Sequence, residues 1–249
     1  MLRWRDKEHA STAMKRKYLA FDIETAKVLP QIVPGGDILK HRPLGICCAA
    51  TLATGNKEPQ WFYSRDASGI PSAQMSKSDL SSLVDFLADQ IKNGYTIVTH
   101  NGLGFDFNVL AEESERLNDC RKLAIGHVDT MFHVFCCKGF GVGLNAAGKA
   151  IGLTKSDGVE GWEAPQLWKD GKCETVLKYV GQDCRVALEV AEKSERQGSF
   201  LWITQKGTEG NLALPKGWLT VQDAMKLPLP DTSWMPAPWP RSKFTKWLG

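Results

Sequence analysis

The sequence has no apolar run approaching the roughly 20 residues that a membrane-crossing helix needs, which argues against a helical membrane protein. Its N-terminal stretch is charged and lacks an apolar signal core, so secretion is not expected. No Cys-x-x-Cys occurs. The seven cysteines are odd in number and include two adjacent pairs, Cys47-Cys48 and Cys136-Cys137. That pattern disfavours both a disulfide framework and a zinc ribbon, and it predicts reduced thiols in a cytoplasmic, reducing compartment. Internal repeats are absent as well. A net charge of only +3 does not by itself name a partner.

What is present is an ordinary globular composition, 43% hydrophobic and 24% charged, on a 249-residue chain. This is enough to bury a core without covalent staples. The charge is unevenly placed. Arg3, Arg5, Lys7, Lys15 and Arg16 make residues 1–16 a basic N-terminal extension, of which 1–13 are expected to be weakly ordered or outside the natural start. Residues 17–197 read as one α/β domain. Lys17–Thr25, 45–53 and 60–64 are expected strands, followed by an amphipathic helix over 77–93 capped by Ser78. A short apolar strand over Tyr95–Thr99 leads into a helix beginning near Leu103. A fifth strand over 124–129, short Gly-broken helices over 130–170 and a long helix over 174–195 complete a mixed sheet flanked by helices. Residues 198–249 differ in character. They hold Trp202, Trp218, Trp234, Trp239 and Trp247, with a cluster of prolines. Such a tail either stacks unpaired bases or is pinned onto the domain, and the lack of a repeating aromatic-basic pattern favours pinning.

Four carboxylates stand out. Asp22 and Glu24 are two apart in a strand, so they point to one face. An isolated Asp-x-Glu is more often solvated surface charge. Asp106 lies near a helix start, where the helix dipole favours a negative charge. It also stands beside the C-terminal end of a buried strand, the edge at which open α/β sheets bind ligands. Tyr179 and Asp183 are four apart in the long helix and share a face. The neighbours of Asp183 at helical spacing, Val180, Ala187 and Val190, are apolar, so a carboxylate there needs a partner. His100 reads as a turn residue. His127 and His133 have no ligand-like spacing and read as structural.

The segments FDIET, HNGLGFDFNVL and YVGQD, in that order, resemble the three motifs of the DnaQ-like (DEDD) exonuclease superfamily. The resemblance is nearest to stand-alone relatives of the proofreading domain of family B DNA polymerases. It runs from about residue 17 to 195 and implies a ribonuclease H-like fold. Tyr179 stands four before Asp183, and Lys178 occupies the place where the histidine subclass has histidine, so the resemblance is to the tyrosine (DEDDy) subclass. It implies a 3′→5′ exonuclease acting on single-stranded nucleic acid, DNA favoured, with two divalent ions, Mg²⁺ or Mn²⁺. Asp22 would bridge both ions, Glu24 and Asp183 would complete the site of the ion beside the attacking water, and Asp106 would serve the second. Tyr179 would orient that water. Thr25, Asn101, Leu103 and Phe105 would contact the terminal nucleotide, with Phe105 mostly structural. The partner would be a free 3′ end, with any polymerase or repair partner acting in trans and no membrane. Two alternatives remain at this level: an RNA-trimming exoribonuclease, and a catalytically silent nucleic-acid-binding module.

Overall fold

The structure is a computed structural model that describes residues 16–29, 37–153 and 160–249. The N-terminal extension, apart from Arg16, lies outside the described residues. At the centre is strand β1, Lys17–Thr25, with the bounds its sequence predicts. β2 (Ile46–Ala53) pairs with it antiparallel and β3 (Gln60–Phe62) continues outward. On the other side β4 (Tyr95–Thr99) and the two-residue β5 (Val128–Asp129) run parallel to it. The order is β3-β2-β1-β4-β5, a mixed five-stranded sheet as expected.

Side-chain alternation divides β1 between two cores. Leu19, Phe21 and Ile23 face one apolar cluster, which also takes residues of α1 (Lys77–Lys92), α2 (Asp106–Glu113) and α3 (Leu117–Gly126). Tyr18 and Ala20 face the other, packed against α7 (Cys173–Gln197). The same face of β1 then carries Asp22 and Glu24. Hence the apolar seam between β1 and α7 ends in carboxylates. β4 pairs with β1 only as far as Ala20 opposite Val98. Residues 22–25 therefore run past the paired part of β4, whose chain turns away into α2.

Three expectations are corrected. The cap of α1 is Ser76, whose hydroxyl accepts from the Asp79 N–H, and Ser78 lies inside the helix. α2 begins at Asp106 rather than near Leu103, because residues 101–105 form turns with Asn101 in the left-handed region at φ 78°. The strand expected over 124–129 is mostly the end of α3; only Val128 and Asp129 pair.

Between β5 and α7 lie α4 (Thr130–Lys138), α5 (Leu144–Ala150) and α6 (Ala164–Lys169). After α7, Gly198 turns the chain with φ 69° into a hairpin, β6 (Ser199–Ile203) and β7 (Glu209–Ala213). Phe200 and Trp218 are buried in the α7-side core, and the Trp218 Nε1–H donates to Ala191 O at 3.1 Å. The chain then crosses to the opposite face through α8 (Val221–Ala224) and α9 (Ser242–Thr245). Phe244 packs there against Phe132 and Phe135, with ring centroids 5.5 and 4.8 Å apart. Burying each such ring is worth roughly 1.5–3 kcal/mol, so the last fifty residues are anchored to both cores. All seven cysteines are free thiols. No helix among the described residues is long and apolar enough to cross a membrane.

Candidate active site

Where β1 outruns β4, an opening of about 340 Å³ forms. Its wall gathers Asp22, Ile23, Glu24 and Thr25 from β1, His100, Asn101, Phe105 and Asp106 from the β4–α2 connection, and Asp183 from α7. Four carboxylates from three separate stretches of the sequence thus line one concavity. Three of them, Glu24, Asp106 and Asp183, are buried.

The geometry is tied together by backbone. The Ile23 N–H donates to Asp106 Oδ1 at 3.1 Å, which locks the start of α2 onto the strand between Asp22 and Glu24. Burial pushes the Asp106 carboxyl up to about 7, and the nearby Asp129 charge adds to this. The N–H groups of Asp106 and Ile23 oppose the shift, as does a hydrogen bond between the Asp106 and Asp22 carboxyl groups. A side-chain bond between two carboxyl groups needs a proton to bridge them. A divalent cation can replace that proton with a stronger and more symmetric charge.

The thiols beside the site are inert by the same electrostatics. Burial raises the Cys184 thiol well above its ordinary range, and the charges of Asp22, Asp183, Asp106 and Glu24 all add to the effect. Cys184 instead donates to Ala50 O at 3.2 Å. Cys48 is raised as well, first by its hydrogen bond with Cys47. Oxygen donors, not thiolates, are therefore what the opening offers, which suits Mg²⁺ or Mn²⁺. Among the described residues no three His, Cys, Asp or Glu side chains are drawn together into a set that holds a metal as it stands. The donor chemistry fits a hard divalent cation, and holding one requires the carboxylates to converge.

By sequence, residues 62–194, more than half of the chain, match RNase_H_2, described as the RNase_H superfamily. The chain belongs to the RNase H superfamily. The matched stretch contains Asp106, Tyr179 and Asp183, whereas Asp22 and Glu24 precede it. Among solved structures, the family B DNA polymerase from the hyperthermophilic archaeon Pyrobaculum calidifontis matches with a TM-score of 0.52 at 20% identity, over 72% of this chain and 24% of the polymerase. The chain spans about a quarter of that protein and shares its fold there. E. coli Exonuclease I in complex with a dT13 oligonucleotide matches over 72% of this chain and 41% of that one, at 15% identity. The TM-score of that match is 0.36. No curated protein matches the sequence.

Within this RNase H superfamily domain, two residues expected at the site lie off the wall of the opening. Leu103 is fully buried in the α1–α3 core, and only its backbone is engaged nearby. Tyr179 is buried in α7, one turn before Asp183, with its hydroxyl directed at Gly161. A Cβ on Gly161 would come within 3.4 Å of that hydroxyl. Gly161 itself lines the opening, so Tyr179 stands directly behind the wall. His100 is held at both ring nitrogens, by Thr130 Oγ1 at 2.8 Å and Val142 O at 2.7 Å, in keeping with a turn role.

Two further residues were not singled out by the sequence. Trp162 lines the opening with 67% of its surface exposed, an indole on the rim. Its signal was a tryptophan between Gly161 and Glu163 before a Pro-containing helix start, which is weak. Asp129 is buried behind the site, where its carboxylate accepts from Asn101 N–H at 3.0 Å and Leu103 N–H at 2.9 Å and caps α4 through Phe132 N–H at 2.9 Å. It shapes the loop that carries Asn101 and Phe105.

Proposed function

We propose that this protein is a metal-dependent 3′→5′ exonuclease of the DEDDy type, hydrolysing single-stranded nucleic acid, with DNA favoured. The observation that supports this most is that Asp22, Glu24, Asp106 and Asp183, from β1, α2 and α7, all line one opening where β1 outruns β4. The motif order in the sequence and membership of the RNase H superfamily point the same way.

Asp22, Glu24, Asp106 and Asp183 would hold two divalent ions, Mg²⁺ or Mn²⁺, which supply charge stabilisation to the attacking and leaving oxygens of an in-line displacement. Asp22, which shares its strand face with Glu24, would serve both ions. The Ile23 N–H fixes Oδ1 of Asp106 against β1. Tyr179, behind the wall at Gly161, would orient the attacking water by hydrogen bond. A phenol hydroxyl suits positioning of the water better than proton abstraction. Thr25, Asn101 and Phe105 line the space into which the terminal nucleotide would fit, and Trp162 on the rim offers a face for a base.

The test is to incubate purified protein with 5′- and 3′-labelled single-stranded DNA and RNA in Mg²⁺, Mn²⁺ or EDTA. Stepwise shortening from the 3′ end, lost in EDTA and in Asp22→Ala, is the expected result. Cleavage that persists in Asp22→Ala overturns the mechanism. The comparison of DNA with RNA reads out the sugar preference, which depends on recognition of the 2′-hydroxyl.

A further inference from the structure

A second concavity of about 730 Å³ adjoins the carboxylate opening. The two share Ile38, Asn101 and Phe105, so they form one continuous trough. Its character changes along its length. The first part is walled by carboxylates. The second is walled by the cations Arg42, Lys243 and Lys246, with Asp37 the one carboxylate among its described lining residues.

Lys243 and Lys246 come from the C-terminal tail, and the tail is seated on the site loop itself. The Trp247 Nε1–H donates to Leu103 O at 2.7 Å. Phe244 lies so close to Gly104 that a Cβ there would sit 3.1 Å from its ring and 2.7 Å from Asn101 Oδ1. The glycine thus admits the tail against the loop. Neither lysine forms a salt bridge with a described residue, whereas Arg42 is braced by Glu112 at 3.3 Å. Lys243 Nζ instead sits over the Trp239 ring, 3.3 Å from its centroid. Partial burial lowers its pKa from the ordinary lysine value, with Asp37 opposing. An ammonium stripped of part of its water gains more from an incoming anion than a fully hydrated one does.

We propose that this trough is the track of a single-stranded nucleic acid, in which Lys243 and Lys246 of the tail bind backbone phosphates upstream of the terminal nucleotide. The inference rests on the exonuclease reading for the polarity of the strand. It assigns to the C-terminal tail a binding function in addition to its packing. The carboxylate end alone would repel a polyanion, and a cationic stretch leading to it offsets that repulsion where the strand must be held.

The experiment measures binding of a fluorescein-labelled 12-nucleotide single-stranded DNA to the full-length protein by anisotropy, in EDTA, from 50 to 200 mM salt. The variants are Lys243→Gln with Lys246→Gln, the same pair changed to Arg, and Lys206→Gln on the hairpin turn as a control outside the trough. Thermal melting checks that each folds. The double Gln variant is expected to bind roughly tenfold more weakly, with the slope of log K against log salt reduced by about 1.4, while Arg restores binding and Lys206→Gln leaves it unchanged. Equal affinity and slope in wild type and the double Gln variant overturn the track. A wild type that binds in this lysine-dependent way yet shortens no substrate in Mn²⁺ supports the track and overturns the exonuclease reading.

Discussion

Asp106 at the start of α2 accepts a hydrogen bond from the backbone N–H of Ile23 in β1, at 3.1 Å. Ile23 lies between Asp22 and Glu24, so one bond sets the position of a helix-borne carboxylate against a strand-borne pair. Because the donor is backbone, it survives side-chain changes in β1.

This predicts how Asp106→Asn behaves. The amide oxygen can still accept from Ile23, and burying an amide costs less than burying a carboxylate. The variant should therefore melt within a few degrees of wild type or higher. A neutral oxygen holds a divalent ion weakly, and losing several kcal/mol of charge stabilisation should cut cleavage by about 10³-fold. Calorimetric titration with Mn²⁺, alongside the cleavage assay, separates the two effects. Full activity in Asp106→Asn would remove it from the metal-binding group.

Tyr179→Phe tests a residue behind the wall. The hydroxyl faces Gly161, and the ring is buried in α7. Removing only the oxygen should leave packing and Mn²⁺ binding intact and lower kcat by about 10²-fold with little change in KM. An unchanged kcat would make Tyr179 a packing residue.

Much of this site was legible because its determinants are local. β1 alternates apolar residues and ends at Thr25, so the shared face of Asp22 and Glu24 followed from a period of two. α7 shows its helical spacing over its whole length, which put Tyr179 and Asp183 on one side. What escaped depends on contacts remote in sequence. Asp129 bonds to residues 26 and 28 positions away, and a carboxylate before a helix reads locally as no more than a cap. The tail's place against Leu103 spans 144 positions and leaves no periodic trace in the tail. Leu103 was expected at the nucleotide because its motif suggested it, but an apolar side chain beside a buried strand found the core.

Acid sensitivity should come from the buried histidines. Burial lowers His133 from 6.5 to about 4, and its Nδ1 accepts from Leu219 N–H at 3.3 Å, a bond that a proton on Nδ1 would destroy. His127 is lowered to about 4 as well. The unfolded chain takes up these protons near pH 6.5, and the folded chain resists them until about pH 4. Stability is therefore complete above pH 6.5 and is lost as pH falls toward 4. The loss is on the order of 3 kcal/mol for each histidine at full effect. Asp106, pushed up to about 7, and Asp129, also raised by burial, act in the opposite direction and soften the slope. Urea melts of wild type and His133→Gln between pH 7 and 4.5 should show a flatter dependence in the variant; equal slopes would clear His133 of the effect.

Trp162 offers a prediction at the rim. Its indole is exposed at the mouth of the carboxylate opening, with no core to support. Trp162→Ala should leave the melting temperature unchanged. Losing one stacked base, worth about 1–3 kcal/mol, should weaken single-strand binding by about 5- to 150-fold. Trp162→Phe should recover most of it. If Ala and wild type bind a single strand equally, the exposed indole has some other use.

Asp129 supports the site without facing it. Its two oxygens satisfy the N–H groups of Asn101, Leu103 and Phe132, and thereby hold both the turn at Asn101 and the start of α4. Ala at this position leaves buried donors unpaired, at about 1–3 kcal/mol each. Asn keeps one acceptor oxygen but sets an N–H₂ against another donor. Asp129→Ala should therefore lower the melting temperature clearly, and Asp129→Asn less. The Asn variant should also show a raised KM for single strands with Mn²⁺ affinity near wild type, because the loop carrying Asn101 and Phe105 shifts while the four carboxylates proposed to hold the metal stay in place. A stability loss in Asp129→Asn without any change in KM would confine the residue to folding.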